Sequence, residues 1–181
     1  MPAPEAQDGL VETWDALRAR RNVRQFTEQR VPDEDLDRIL DAGRRAPSAS
    51  NWQPWDFVLV TDRAQLVELS KVWQGARHVA AAAAAIAIVA PEPKDDRQSA
   101  LLQYDLGQAT YAMTVAAADL GVGTGHAAAA DQDQARAVLG FPEGHFLAYM
   151  LSVGYPSDRA LAVIERLDRR PFDEVVHRGR W

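Results

Sequence analysis

Apolar residues recur at helical spacing in the segment VPDEDLDRILDAGRRAP, residues 31–47. Four apolar or small positions fall on one side of this predicted helix: Leu36, Ile39, Leu40 and Gly43. Acidic residues crowd its first turn and arginines its last, which suits the helix dipole. Pro47 is expected to end the helix, because proline disfavours a helical conformation at the residue before it.

A longer helix is predicted over residues 99–120. Its apolar positions alternate spacings of four and three, the pattern of a helix that packs lengthwise against another helix. These positions are Leu102, Leu106, Ala109, Met113, Ala116 and Leu120. Shorter helices are predicted over residues 10 to about 21, 63 to about 72, and about 131 to 140, the last with Asp131 as its N-cap.

Short apolar and β-branched runs predict three strands. They are WDFVLVT at 55–61, AIAIVAP at 85–91 and HFLAYMLSVG at 145–154. The alanines before the second run favour a strand or a helical turn equally. The glycine-rich stretch DLGVGTGHAAAAD, residues 119–131, matches neither GxGxxG nor a P-loop. It predicts a flexible helix end, or alternatively a place where backbone N–H groups approach a ligand closely. The order of elements predicts an α/β or α+β class with a modest sheet.

Composition bounds the class of protein. The 181 residues carry a net charge of −6 and no cysteine, which predicts one domain, excludes disulfides and thiolate sites, and disfavours nucleic-acid binding. The start MPAPEAQDG, residues 1–9, is expected to be a loose tail, and the apolar run 79–90 is too short to span a bilayer. We therefore expect a cytoplasmic protein with no membrane role.

Two clusters could carry chemistry. Arg20, Arg21, Asn22 and Arg24 gather guanidinium groups that suit a phosphate, although a solvated basic helix end fits the same residues. In RAPSASNWQPW, residues 45–55, one hydroxyl and two carboxamides suit a flat heterocycle with alternating C=O and N–H groups. They belong to Ser48, Asn51 and Gln53. The alternative is a loop whose polar groups satisfy their own backbone.

The sequence shows no motif for a catalytic site built from side chains alone. The four histidines have no metal-ligand spacing, so we predict no metal, and no serine lies in a GxSxG elbow. No pair of carboxylates stands out. An anion site and a heterocycle site without catalytic side chains indicate a cofactor that brings the chemistry.

Four segments, taken in order, resemble the FMN-dependent nitroreductase family, and the resemblance runs from about residue 17 onwards. The segments are RRNVRQF, VPDEDLDRILDAGRRAPSASNWQPWDFVLV, DLGVGTGHAAA and RRPFDEVVH. The resemblance implies an α+β nitroreductase-like fold, with a central, mainly antiparallel sheet flanked by helices. It also implies an interlocked homodimer whose FMN sites are built from both chains. The implied division is a tail at 1–9, an FMN-binding domain at 10–170, and a C-terminal tail at 171–181 that extends onto the partner subunit.

The resemblance assigns roles residue by residue. Arg20, Arg21, Asn22 and Arg24 match the segment that binds the FMN phosphate and ribityl chain. The segment that approaches the same flavin from the partner subunit is matched by Pro47, Ser48, Asn51 and Gln53. Backbone groups near flavin N5 and O4 are matched by His126, Ala127 and Ala128. Arg169, with Arg170 as the alternative, matches a late basic residue at the phosphate.

The implied activity is a ping-pong oxidoreductase. NAD(P)H passes hydride to FMN, and a nitroaromatic, quinone or similar conjugated small molecule is then reduced. Alternatives are a flavin-binding protein without turnover, serving storage or redox regulation, and a specialised enzyme of the same fold for flavin fragmentation, dehalogenation or azoline oxidation. Asn22 replaces the family's commoner serine, and His126 stands where small members often carry tryptophan.

Overall fold

The computed structural model describes residues 13–165 and 168–181. Helices and strands alternate along the chain, but every strand pair is antiparallel, which makes the fold α+β rather than α/β. The helices are α1 Thr13–Ala19, α2 Asp33–Arg44, α3 Arg63–Leu69, α4 Asp96–Asp119, α5 Gln132–Leu139 and α6 Phe172–Val175. The strands are β1 Asp56–Val60, β2 Ala84–Pro91, β3 Gly123–Ala127 and β4 His145–Gly154, and two 3₁₀ segments lie at Ala49–Asn51 and Gln74–Ala81.

The four strands form one antiparallel sheet in the order β1-β2-β4-β3. The central pair is in register from Ala84 opposite Val153 to Pro91 opposite His145, with one shift between Ile88 and Val89. The antiparallel sheet confirms the predicted fold class.

Both faces of the sheet are covered, so the core lies in two layers. On β2, Ala84, Ile86, Ile88 and Ala90 face the layer of α2 and α4, whereas Ala85, Ala87 and Val89 face the layer of α3, the second 3₁₀ segment and α5. This alternation follows from the two-residue period of a strand. It explains why the second predicted strand is apolar throughout.

Helix α4 packs against α2 in the same chain, which confirms the lengthwise contact predicted from its stripe. The contact is close at Gly43, where an added Cβ would lie 2.8 Å from Met113 Cγ and 3.2 Å from Phe57 Cζ. Leu102, Leu106, Ala109 and Met113 are completely buried. Gly43 therefore permits the close approach of the two helices at this point.

The structure corrects two sequence expectations and decides a third point that the sequence left open. The stretch GVGTGH is not a flexible helix end, because residues 123–127 form β3, an edge strand whose backbone is paired with β4. Helix α4 begins at Asp96, three residues earlier than expected, because Asp95 caps it by accepting the Gln98 N–H at 2.7 Å. The alanine run is divided, with a 3₁₀ segment first and β2 after it.

Candidate cofactor site

The RRNVR segment lies against β3. The Val23 N–H donates to the Thr124 carbonyl at 2.8 Å, and Asn22 pairs with Thr124 in a parallel bridge. Val23 is completely buried and packs on Gly123, where an added Cβ would lie 2.6 Å from Val23 Cγ2. Two segments that stand 100 residues apart in the sequence thus form one polar surface.

Gly125 permits this approach. A Cβ at Gly125 would collide with the Val23 carbonyl oxygen and lie 2.8 Å from Ser152 Oγ. Since the first obstacle is backbone, a side chain there requires the two segments to separate. The glycine is therefore required by close packing between β3 and the segment before it.

His126 projects from β3 beside the arginine segment. Its Nδ1 lies 3.1 Å from Asn22 Oδ1, and because a carboxamide oxygen only accepts, Nδ1 carries the proton. Partial enclosure lowers the pKa of His126, and the positive charges of Arg20 and Arg24 lower it further. The neutral ring therefore prevails at neutral pH and leaves Nε2 as an acceptor.

Arg20 and Arg24 place positive charge beside this strand without acidic neighbours. Among residues 13–165 and 168–181, neither forms an ion pair. The Arg20 guanidinium stacks 4.8 Å from the Tyr111 ring centre, and its buried Nε has no hydrogen-bond partner in the described chain. This pair has the electrostatic character of an anion site.

Arg21 behaves differently from its neighbours. Its guanidinium forms an ion pair with Asp158 at 2.7 Å and donates to the Arg159 carbonyl at 2.6 Å. This side chain is 13% exposed. Arg21 therefore ties the arginine segment to the chain after β4, although its buried Nε, like that of Arg20, has no partner among the described residues.

A buried histidine lies beneath β3. The Ser152 hydroxyl donates to the Gly125 carbonyl at 3.2 Å and accepts from His78 Nδ1 at 2.8 Å. His78 Nε2 is buried without a partner among the described residues. Burial lowers the pKa of His78, so the neutral imidazole that this arrangement requires is the stable form. This support of β3 was missed from the sequence, where His78 and Ser152 carry no shared motif.

The loop at residues 47–53 adopts an uncommon backbone. Ser50, Asn51 and Gln53 have φ angles of 52°, 56° and 52°, in the left-handed region that non-glycine residues seldom occupy. Ser48 Oγ accepts the Gln53 N–H at 2.9 Å, and Gln53 Nε2 donates to the Asn51 carbonyl at 3.1 Å. The alternative in which polar groups serve the loop's own backbone thus holds for Ser48 and Gln53.

Asn51 is an exposed polar residue of this loop. Its side chain forms no hydrogen bond with the described residues, while the Ser48 hydroxyl keeps its proton free to donate and Gln53 keeps its side-chain oxygen. Three polar groups within six positions therefore retain capacity for a ligand.

The loop is fastened to α4. Asp105 Oδ2 accepts the Ala49 N–H at 3.0 Å, and Gln108 Nε2 donates to the Pro47 carbonyl at 3.3 Å. Asp105 was missed from the sequence, although a carboxylate between Leu102 and Leu106 on the buried stripe was an available signal.

The structure gathers only part of the predicted site within one chain. Ala127 is buried in β3 and Ala128 follows it at the surface. No hydrogen bond among the described residues joins the loop at 47–53 to Arg20 or Arg24. Arg169 donates to the neighbouring Asp168 carbonyl and makes no described contact with the arginine segment.

Two negative observations concern the described ranges, 13–165 and 168–181. No three histidine, aspartate or glutamate side chains are grouped there to hold a metal ion. No helix in these ranges combines the length and apolar character needed to cross a bilayer.

Comparison with known proteins identifies the family. The family model described as "Nitroreductase family" matches residues 17–75. An Archaeoglobus fulgidus protein is 31% identical over 95% of this chain and 100% of its own, and it carries NADH dehydrogenase/NAD(P)H nitroreductase as a provisional name. This chain belongs to the nitroreductase family.

Two further relatives differ in their named activities. The 5,6-dimethylbenzimidazole synthase of Rhodospirillum rubrum is 31% identical over 95% of each chain. The structure of the Vibrio harveyi NADPH:FMN oxidoreductase complexed with NAD⁺ superposes with a TM-score of 0.79 at 25% identity, and the match covers 93% of this chain and 77% of that one. One fold therefore accompanies more than one named reaction.

Proposed function

We propose that this protein is an FMN-dependent oxidoreductase that passes hydride from NAD(P)H to a nitroaromatic, quinone or similar conjugated acceptor by a ping-pong mechanism. Family membership supports a flavin oxidoreductase that uses NAD(P)H as its donor. The name of the Vibrio harveyi neighbour includes both FMN and NADPH.

One observation carries the proposal, the uncompensated positive charge beside β3. Arg20 and Arg24 lack acidic partners in the described chain, and the buried Arg20 Nε is unpaired. A phosphate accepts several guanidinium N–H groups, so it satisfies this arrangement without any change in the fold. The donor set fits a phosphate-bearing cofactor.

Bound FMN would supply the hydride chemistry, accepting a hydride at N5 and giving it to the acceptor. The chain's own residues bind and orient. Arg20 and Arg24 would hold negative charge, and Asn22 would keep His126 in one tautomer through their 3.1 Å contact. Because His126 is neutral at neutral pH, its Nε2 offers an acceptor rather than another positive charge.

We propose a homodimer in which the loop at 47–53 of one subunit completes the arginine site of the other. Support comes from the outer side of α4, where Leu101, Tyr104 and Tyr111 are 39%, 68% and 44% exposed. These positions are spaced by three and seven residues and form one apolar stripe along the helix. A stripe of this kind needs cover.

The C-terminal tail, residues 171–181, adds to the uncovered apolar surface. Phe172, Val175 and Trp181 are 70%, 50% and 99% exposed. We therefore retain the proposal that this tail contacts the partner subunit, with residues 10–170 as the FMN-binding domain. We also retain a cytoplasmic location as a proposal, which the absence of cysteine supports.

A matched pair of substitutions tests the dimer. Leu101 and Val67 are helical residues of similar exposure, 39% and 37%, on α4 and α3. Leu101→Asp should convert the dimer to a monomer in sedimentation equilibrium, whereas Val67→Asp should leave it intact. A wild-type monomer, or equal behaviour of the two variants, would contradict the interface.

The cofactor is tested by titrating the apoprotein with FMN and then reducing the complex anaerobically with NADH or NADPH while the flavin absorbance is followed. Arg24→Gln should weaken FMN binding at least tenfold. Arg30→Gln is the control, since the Arg30 side chain is 87% exposed and carries the same charge. An FMN-loaded protein that neither NADH nor NADPH reduces would refute turnover and leave the storage alternative.

The loop is tested separately. Asn51→Ala and Gln53→Ala should each weaken FMN retention while the dimer persists, because both side chains lie outside the core. Unchanged FMN affinity in both variants would show that the loop serves only its own backbone.

A second candidate function is fragmentation of the bound flavin. The Rhodospirillum rubrum synthase is 31% identical to this chain, the same percentage as the Archaeoglobus fulgidus protein. Mass spectrometry after the reduced, FMN-loaded protein is exposed to air distinguishes the two candidates. A benzimidazole product supports fragmentation, and recovery of intact FMN with multiple turnovers of a nitroaromatic supports the oxidoreductase.

A further inference from the structure

Asp105 is a buried carboxylate in the middle of α4. It is 1% exposed, between Leu102 and Leu106, which are completely buried. It forms no ion pair with a described residue. Its hydrogen bonds come from the Ala49 N–H at 3.0 Å and from Gln108 Nε2 at 3.5 Å. Because burying a charge is costly unless it is well paired, an apolar residue would serve α4 better if packing were the only requirement.

The group that Asp105 holds is the start of the strained loop. Ala49 opens the 3₁₀ segment, and the left-handed residues Ser50, Asn51 and Gln53 follow directly. Three such residues within four positions persist only where the surroundings hold them. Hydrogen bonds inside the loop, such as those between Ser48 and Gln53 and between Gln53 and Asn51, give partial support. Two further hydrogen bonds, to the backbone of Ala49 and Pro47, come from α4.

We propose that Asp105 is a positioning residue that fixes the loop at 47–53 in the conformation that presents Asn51 and Gln53 to FMN. The inference rests on the proposed function for its ligand. A carboxylate is a stronger acceptor for a backbone N–H than a neutral group is. Asp105 also lies on a 24-residue helix that packs in the core, so its hydrogen bond ties the loop to a rigid part of the fold.

The first test uses the FMN-free protein. Amide hydrogen exchange of the peptide that spans 47–53 should be slow in the wild type and at least tenfold faster in Asp105→Ala. Asp105→Asn keeps an oxygen at the same place and should retain most of the protection. Thr110→Ala is the control, because this buried threonine of α4 donates only to the Leu106 carbonyl within its own helix.

The second test is FMN affinity, measured by flavin fluorescence on titrating the apoprotein. Asp105→Ala should bind FMN at least tenfold more weakly, Asp105→Asn within about threefold of wild type, and Thr110→Ala like wild type. Adding Ser50→Gly to Asp105→Ala should recover part of the loss, because glycine adopts the left-handed backbone freely. If Asp105 only stabilised the fold, the added Ser50→Gly substitution in the loop would not restore FMN affinity.

The outcomes separate the two proposals. If the wild type does not bind FMN, the proposed function fails, while the exchange experiment still decides whether Asp105 holds the loop. Wild-type FMN affinity in Asp105→Ala would overturn the inference even if the loop exchanges faster. If Asp105→Ala does not fold, Gln108→Ala replaces it, because this variant removes the contact to the Pro47 carbonyl. Gln108→Ala should then show smaller increases in loop hydrogen exchange and smaller losses of FMN affinity. If it shows neither, the inference is wrong.

Discussion

Gly125→Ala is the sharpest perturbation of the packing between β3 and the arginine segment. The added Cβ would collide with the Val23 carbonyl oxygen and lie 2.8 Å from Ser152 Oγ and 3.2 Å from His78 Cε1. None of these atoms can move away easily, because one belongs to the backbone and the other two belong to His78 and Ser152, which are hydrogen-bonded to each other. The two segments must therefore move apart.

The cost can be estimated from the contacts that break. Overpacking a close-packed site costs about 1–3 kcal/mol. Separating β3 from its neighbour also lengthens the 2.8 Å hydrogen bond between Val23 and Thr124, worth about 1 kcal/mol. We expect Gly125→Ala to lose about 2–4 kcal/mol of unfolding free energy in urea denaturation. FMN affinity should fall at least tenfold, because Asn22 and His126 are displaced from each other.

Gly144→Ala separates loss of stability from loss of the site. Gly144 has φ +72°, and no heavy atom lies within 4 Å of an added Cβ. The left-handed backbone alone should cost about 1–2 kcal/mol. FMN affinity should stay at the wild-type value, because Gly144 lies in the turn before β4 and belongs to none of the segments proposed to contact FMN. A Gly125→Ala variant with wild-type stability, or with wild-type FMN affinity, would refute the close packing argued from Val23 and Gly125.

Three further predictions concern the fold. Asp131→Ala should cost about 1 kcal/mol in urea unfolding, because its side chain caps α5 by accepting the Gln134 N–H. Gly43→Ala should lower stability by about 1–3 kcal/mol in thermal melts, since Met113 must shift away from the new Cβ. Burial lowers the pKa of His78 in the folded protein, so its contribution to stability is complete above the unfolded-state pKa, about 6.5, and is lost as the pH falls from there towards the lowered folded-state pKa. His78→Gln should flatten the fall in urea midpoint between pH 7.5 and 5.5, and an unchanged slope would contradict this.

The sequence predicted the long helices well because their signals are local. Helices α2 and α4 follow from apolar spacing, and Asp131 and Gly140 mark the ends of α5 as expected, with Gly140 in the left-handed conformation at φ 73°. Such signals depend on residues within one or two turns, so they are visible without knowledge of distant contacts.

Strand β3 could not be predicted because its stability is not local. Two of its five residues, Gly123 and Gly125, are glycines, which have a low intrinsic preference for strands. The strand forms because β4 offers an unpaired edge and Val23 leaves no room for side chains. Only the folded chain shows that these glycines are required for packing rather than flexibility.

In the candidate site too, local features could be predicted from the sequence, and contacts between distant positions could not. Four polar residues within five positions made the arginine segment visible, but the sequence could not separate Arg21, paired with Asp158, from Arg20 and Arg24. The pairing spans 137 positions and has no motif. Asp105 was missed for a similar reason, because its partner is a backbone N–H 56 positions away.

Helix α4 links the parts of the proposed site. Asp105 holds the loop at 47–53, and Tyr111, six positions later and about 9 Å along the axis, stacks on Arg20. The two residues lie on different sides of the helix, Asp105 buried and Tyr111 exposed among the stripe that begins at Leu101. If that stripe joins two subunits, FMN bridges them and favours the dimer, and the dimer favours FMN by the same factor. Loss of the dimer in Leu101→Asp must then weaken FMN binding although Leu101 belongs to neither proposed contact segment.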